Sequence, residues 1–231
     1  AAMSKDTWKK NILSEASFWK NWIATHGSKW KEEYKIRTDP NSKLQNIFLP
    51  YLDRSIKVNH MLDVGAGPLT FINKKCDFTE LAITAIDPLA DSYNKLLAEH
   101  NIHPIVRTEK CEGEKLSEKF SENTFDITYS RNALDHSYDP YQCIVEMIKV
   151  TKKNKYIFFQ VFENEANRRL WTGLHKWNFF IKRKFFMFKE PSLWLQGKNV
   201  KRELGHSLKG IAKIIQVDLN GKEITAIFQK I

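Results

Sequence analysis

Cysteine is scarce in this 231-residue chain, with only three, at positions 76, 111 and 143, and no paired or dense spacing. That usage excludes a disulfide scaffold and fits a reducing compartment, so a cytoplasmic location is expected. The cysteines read as ordinary ones, and no Cys or His spacing marks a zinc site, so no metal is expected. No apolar run approaches the roughly 18 residues of a membrane span, and no basic-then-apolar leader is read. Glycine (9) and proline (7) are also few, which excludes fibrous and low-complexity classes. What is present is 42% apolar residues, enough for a sizeable core, in a length that suits one good-sized domain.

Basic residues outnumber acidic ones, 37 to 27, but unevenly. Residues 168–202 hold ten Lys or Arg, one acid and eight aromatics, and so carry +9 of the net +10. The rest is a near-neutral body. A segment of this kind attracts anions through its local field. Three partners suit it: an anionic small-molecule or glycan acceptor, an anionic lipid surface at the inner membrane face, or nucleic acid. Nucleic acid ranks last, because no separate RNA-binding module is visible.

Trp8, Ile12, Ala16, Trp19, Ile23, His26 and Trp30 recur at helical steps, with a break expected at Gly27-Ser28. Asp39-Pro40-Asn41-Ser42 reads as a turn and helix start, and Leu44, Ile47, Phe48, Tyr51 and Leu52 as a second helical stripe kinked at Pro50. Residues 1–57 are thus expected to form a helical cap. From 58 onward strands and helices alternate. Strands are predicted at 60–64, 81–86, weakly at 104–107, at 125–130 and at 156–161, and helices over 89–97 and 141–148. Two last strands, 211–219 and 223–231, flank Asn220-Gly221-Lys222, a hairpin signal. Alternation implies an α/β fold with a mostly parallel sheet, helices on both faces and a C-terminal antiparallel hairpin. Residues 162–205 read as an acceptor-side insertion, and its phenylalanines (179, 180, 185, 186, 188) have two open readings: contact with the acceptor or surface, or helix packing, a second subunit being one partner for it.

Met61-Leu62-Asp63-Val64-Gly65-Ala66-Gly67-Pro68 runs a strand into a glycine turn, where a ligand can approach the backbone closely. Asp87 ends the second strand 20 residues after Gly67 and can accept hydrogen bonds from both hydroxyls of a ribose. A dinucleotide site would carry a third glycine where Thr70 stands, which argues against NAD or FAD.

These two motifs, followed by Cys111-Glu112-Gly113-Glu114-Lys115-Leu116 and by residues 125–136 (FDITYSRNALDH), resemble in order and spacing the successive motifs of class I S-adenosylmethionine-dependent methyltransferases of the type 11 kind. The resemblance covers about residues 58–161 and the closing hairpin. It implies a Rossmann-like seven-stranded sheet and S-adenosylmethionine as cofactor, with S-adenosylhomocysteine as product. Gly65, Ala66 and Gly67 would floor the methionine part, with Asp63 near its ammonium. Asp87 would hold the ribose, Pro88 would flank the adenine, and Glu112 and Gly113 would meet its amino edge. Glu112 departs from the more usual Asp there. Ser130, Arg131 and Asn132 would face the methyl-bearing sulfur. The N-terminal helices and the phrase at 174–179 are also similar to bacterial methyltransferases that accompany surface-polysaccharide genes.

Methyl transfer to a hydroxyl needs alignment and removal of a proton. His136, just after the fourth strand, is the first candidate for a base, with Asp135 as partner or alternative and His175 as a second candidate. Arg37 is a candidate for the cofactor carboxylate, and the Trp8-to-Trp30 stripe reads mainly as core contact, with part of it a candidate lid over the cofactor. The expected activity is O-methylation of a small or glycan-type acceptor bearing negative charge, such as a sugar nucleotide or a phosphorylated or lipid-linked glycan. RNA methylation and a non-catalytic, cofactor-binding role are the alternatives.

Overall fold

A computed structural model describes residues 3–182 and 192–231. Three helices come first: α1 (Lys5–Asn11), α2 (Leu13–Ala24) and α3 (Lys31–Thr38). The single stripe of the sequence is therefore cut twice. Ile12 separates α1 from α2, and Gly27 (φ 96°) and Ser28 (φ 51°) turn the chain into α3.

The second stripe is not a helix. Its apolar residues are buried as expected, Phe48 completely, but only Leu49–Tyr51 form a single 3-10 turn. The backbone is committed elsewhere: Leu44 N–H donates to the Lys75 carbonyl at 2.8 Å, and Lys74 and Lys75 N–H both donate to the Ser42 carbonyl at 3.0 Å. Pro50 also has no N–H to give.

The main body follows the alternation. The strands are β1 (Val58–Val64), β2 (Glu80–Asp87), β3 (Thr108–Lys110), β4 (Phe125–Arg131) and β5 (Thr151–Phe162). Helices α4 (Ala90–Glu99), the short α5 (Leu116–Lys119) and α6 (Pro140–Val150) connect them. The chain then forms α7 (Glu165–Arg168), β6 (Asn178–Lys182), β7 (Ser192–Gly197), β8 (Val200–Glu203), α8 (Leu204–Ser207), β9 (Ala212–Asn220) and β10 (Glu223–Lys230). The sheet order is β3-β2-β1-β4-β5-β10-β9, parallel through β5 and antiparallel for the last two strands. This is the Rossmann-like seven-stranded α/β fold.

Side-chain alternation splits the core between the two sheet faces. Leu62, Val64, Phe159 and Phe228 face α6, while Met61, Tyr129, Phe158 and Ile227 face the 44–52 segment.

Three expectations are corrected. β3 lies at 108–110, not 104–107, because its register is set by pairing Thr108 with Ala85 and Lys110 with Asp87. The hairpin closes on the pair Asn220–Glu223, so Gly221 (φ 62°) and Lys222 are the central residues and Asn220 belongs to the strand. The insertion is a three-stranded antiparallel sheet, β6-β7-β8, rather than helix. Phe179 is buried against the main core and Phe180 stacks on Trp194 on the outer side. Arg183, Lys184, Phe185, Phe186 and Phe188 lie outside the described residues. Among the described residues no helix is long and apolar enough to cross a membrane.

Asp126, at the start of β4, has the structural role its position suggests. It is buried, accepts the His60 N–H at 2.9 Å and pairs with Lys152 Nζ at 2.9 Å, joining β1, β4 and β5. Asp126→Ala strands both donors, and urea unfolding is expected to show a loss of about 2–4 kcal/mol.

Candidate active site

A cavity of about 420 Å³ opens at the carboxyl ends of β1, β2 and β4, where an open α/β sheet binds its ligands. That volume lies within the ~300–1,000 Å³ range of small-molecule sites. Its floor is the turn after β1. Gly65 (φ 74°) and Gly67 (φ 65°) are both in the left-handed region, and a Cβ on Gly65 would sit 2.4 Å from the Ala133 Cβ. Gly65 and Ala66 N–H donate to the Ile86 carbonyl at 2.9 and 3.0 Å, which fixes the turn against β2.

Carboxylates set the electrostatics of the floor. Asp87 Oδ2 accepts the Gly67 N–H at 3.1 Å and its Oδ1 the Leu89 N–H at 2.9 Å. Burial, reinforced by Glu15 and Asp63, pushes its carboxyl up to about 6, against the pull of those two amides. Each of its oxygens keeps a second acceptor position. Asp63 is buried and accepts from Thr70 Oγ1 (2.6 Å) and Phe71 N–H (3.1 Å); burial pushes its carboxyl up as well. Glu112 is not on this cavity. It pairs with Lys5 Nζ at 2.6 Å, accepts from the Tyr138 hydroxyl at 3.1 Å, and lines an adjoining hollow with Trp8, Pro88 and Leu89. Gly113 does line the main cavity.

Beyond β4, Ser130 and Asn132 line the cavity, and Ser130 Oγ and Asn132 Oδ1 are buried without a hydrogen-bond partner. Asn132 is itself held at φ 50°. Arg131 stacks on Phe71 at 4.0 Å and lies 3.4 Å from Glu33. Arg37 donates to the Leu69 carbonyl at 2.6 Å and pairs with Glu33 at 2.7 Å, so much of its guanidinium is already engaged. Burial pushes the Glu33 carboxyl up, but the two arginines more than offset this and hold it below the usual range.

At the other end three expected residues meet. Asp135 Oδ2 lies 3.3 Å from His136 Nε2 and 3.1 Å from His175 Nδ1, and the two rings are edge to face at 4.6 Å. His136 Nδ1 faces Glu15 Oε1 at 3.4 Å. Burial raises the Asp135 carboxyl, but the two imidazoles overcome that and lower it. Burial pulls the His136 imidazole down, but Asp135 and then Glu15 raise it. Two indoles hold the cluster in place: Trp8 N–H donates to the His136 carbonyl at 2.9 Å and Trp177 N–H to the Ser137 carbonyl at 3.1 Å.

Residues 62–159 match the family described as a methyltransferase domain. That stretch, from β1 through β5, is a methyltransferase domain. No curated protein sequence matches it. In fold the methyltransferase is similar to a putative S-adenosyl-L-methionine-dependent methyltransferase from Methanococcus maripaludis (12% identity, 91% of each chain, TM-score 0.53). It is also similar to a protein from Pyrococcus horikoshii OT3 (15% identity, 87% of this chain and 92% of that one, TM-score 0.50).

The residues present fit S-adenosylmethionine, the cofactor that the sequence resemblance implies. The glycine turn, Asp63 and Asp87 line one cavity, Asp87 has spare acceptor positions, and Ser130 and Asn132, each with an unpartnered buried polar atom, line the same cavity. The sequence did not reveal the walls: Glu15, Trp19 and Glu33 from α2 and α3, Phe71, and Glu114, whose buried carboxyl is pushed up to about 7. The helical stripe, read as core contact with part of it a candidate lid over the cofactor, does line the cavity through Trp8, Ile12, Trp19 and Trp30, but it did not show that Trp19 packs on Gly67.

Trp19 packs directly on the glycine turn. A Cβ on Gly67 would lie 2.7 Å from its Cζ2, at a φ that L-residues adopt only at a cost of about 1–2 kcal/mol. Gly67→Ala is therefore expected to lower the melting temperature and to expose α2 to proteolysis. A variant with wild-type melting and digestion would contradict this packing.

Proposed function

We propose that the methyltransferase transfers a methyl group to a hydroxyl oxygen of a small or glycan-type acceptor that bears negative charge. The observation that carries this reading is the meeting of Asp135, His136 and His175 on the wall of the cavity. When bound, the cofactor supplies an electrophilic methyl group on a sulfonium sulfur. Asp87 would accept from the ribose hydroxyls, and the glycine turn would let the methionine part lie close to the backbone. Pro88 and Leu89 with Trp8 wall the adjoining hollow, which suits the adenine, with Glu112 at its edge. Glu112 reaches a ligand there only in competition with Lys5.

Displacement at a sulfonium leaves a neutral thioether, so the protein stabilises little charge on the leaving side. Its contribution is alignment and activation of the hydroxyl, and the two imidazoles and one carboxylate are the groups placed to activate it. Negative charge on the acceptor would meet Arg169 at the cavity wall and, farther out, Lys182, Lys201 and Arg202 on the insertion sheet. An enclosed cavity walled by tryptophans favours a small acceptor over duplex RNA.

Calorimetry with S-adenosylmethionine and S-adenosylhomocysteine should show 1:1 binding of both. A methyl-transfer assay should then show turnover on sugar nucleotides or phosphorylated glycans and none on RNA; turnover on RNA alone would overturn the acceptor reading. Asp87→Asn removes a charged acceptor from the ribose and is expected to weaken cofactor binding by roughly 10- to 100-fold, from hydrogen bonds to a charged group worth about 1.5–3 kcal/mol. Because ionised Asp87 is the better acceptor and its carboxyl sits at about 6, affinity in the wild type should fall as pH drops through 6. That slope should vanish in Asp87→Asn.

A further inference from the structure

We infer that Asp135, His136 and His175 form a binding site for one divalent transition-metal cation, of the zinc, cobalt or nickel type, on the wall of the cavity. Asp135 Oδ2, His136 Nε2 and His175 Nδ1 all lie within 4.8 Å of one another, and the two nitrogens stand 3.3 and 3.1 Å from the shared oxygen. Bonds of about 2.0–2.2 Å to a tetrahedral cation set ligand atoms roughly 3.4 Å apart, so the cation fits with small adjustments. Two imidazoles and one carboxylate are a donor set for these metals rather than for calcium or magnesium, which prefer oxygen alone.

A second observation points the same way. A histidine that holds a metal through one ring nitrogen commonly donates the other N–H to a carboxylate. His136 Nδ1 faces Glu15 Oε1 at 3.4 Å, which leaves Nε2 directed at Asp135. Without a cation an imidazolium donates to both carboxylates; a bound cation takes the place of the Nε2 proton between Nε2 and Asp135 Oδ2 while the Nδ1–H stays on Glu15. The fourth position faces the cavity, which both imidazoles line.

The consequence for chemistry rests on the function proposed above; the site itself does not. A hydroxyl that reaches the cation becomes a stronger acid. Its proton leaves to water, and its oxygen lone pair forms the new bond to the methyl carbon. The electron pair of the broken carbon–sulfur bond stays on sulfur. The acceptor class narrows accordingly to molecules that offer a hydroxyl to the cation.

The test is titration of the full chain, stripped with EDTA, with cobalt(II) alone, read by visible absorption and equilibrium dialysis. One equivalent should bind with the absorption of low-coordinate cobalt, and zinc should displace it. His175→Ala and His136→Gln should each weaken uptake by tenfold or more, with circular dichroism and S-adenosylmethionine calorimetry reporting that the fold is kept. No stoichiometric uptake at millimolar cobalt would overturn the inference, as would uptake that both variants leave unchanged. Cation uptake with no S-adenosylmethionine binding supports the site and overturns the function proposed above.

Discussion

A carboxylate held out of water at the tip of β2 ties the fold to the chemistry. Asp87 is 8% exposed, and its carboxyl lies at about 6 rather than 3.8. A shift of that size corresponds to roughly 3 kcal/mol. A raised carboxyl favours the protonated folded state, so this stabilisation is full below about 3.8 and is lost as pH rises through about 6. At neutral pH the folded protein therefore keeps an anion in an unfavourable place. The amides of Gly67 and Leu89 offset part of the cost, and the same two bonds fix the glycine turn and the start of α4 around it. A ligand that brings two hydroxyl donors relieves the rest. The site is strained toward its ligand by burial and not by backbone distortion.

The N-terminal helices maintain that burial. Trp19 from α2 covers Gly67 and meets Tyr93 of α4 edge to face, while Trp22 and Arg37 close the side near Leu69. Without this wall Asp87 and Asp63 would face water, and their fields would be screened. α1 is held more lightly, by Lys5 on Glu112 and by Trp8 on Tyr138 and the His136 carbonyl. One short helix thus touches both the hollow suited to adenine and the histidine cluster, which puts the two ends of the cavity in mechanical contact.

The sequence was readable where a strand is buried on both faces or a turn has a fixed chemistry. β1, β2, β4, β5 and the last hairpin all lie where apolar runs and Gly221 put them. It misled where burial and conformation part company. Leu44, Phe48 and Leu52 are as buried as a helical stripe would be, yet the start of the segment pairs its backbone with Lys74 and Lys75 through Ser42 and Leu44. β3 was misplaced because its anchoring residue, Thr108, is buried through a hydroxyl that donates to the Gly67 carbonyl at 2.9 Å, and a search for apolar residues passes over it. Asp135, His136 and His175 were each readable as reactive types, but nothing linear shows that they meet. Their meeting depends on the return of residues 163–179 across the end of β4, fixed by the Glu163–Phe179 bridge and by the Trp177 indole on Ser137.

Charge divides along the same line. The cavity is lined by seven carboxylate side chains and three arginines, so its interior is acidic although the whole chain carries +10. An acidic interior attracts cations, which suits a sulfonium with its ammonium and suits a metal ion equally. It repels an anionic acceptor. Of the lysines and arginines within 168–202 only Arg169, paired with Glu165, reaches the cavity wall among the described residues; outside it the described part of that stretch presents Lys182, Lys201 and Arg202 around Trp194, Phe180 and Tyr141. On the function proposed above, an acceptor that satisfies both fields would have two ends: an uncharged hydroxyl that enters, and an anionic portion that stays at the rim. A compact anion with its hydroxyl beside its charge would meet opposing fields in one place and bind poorly.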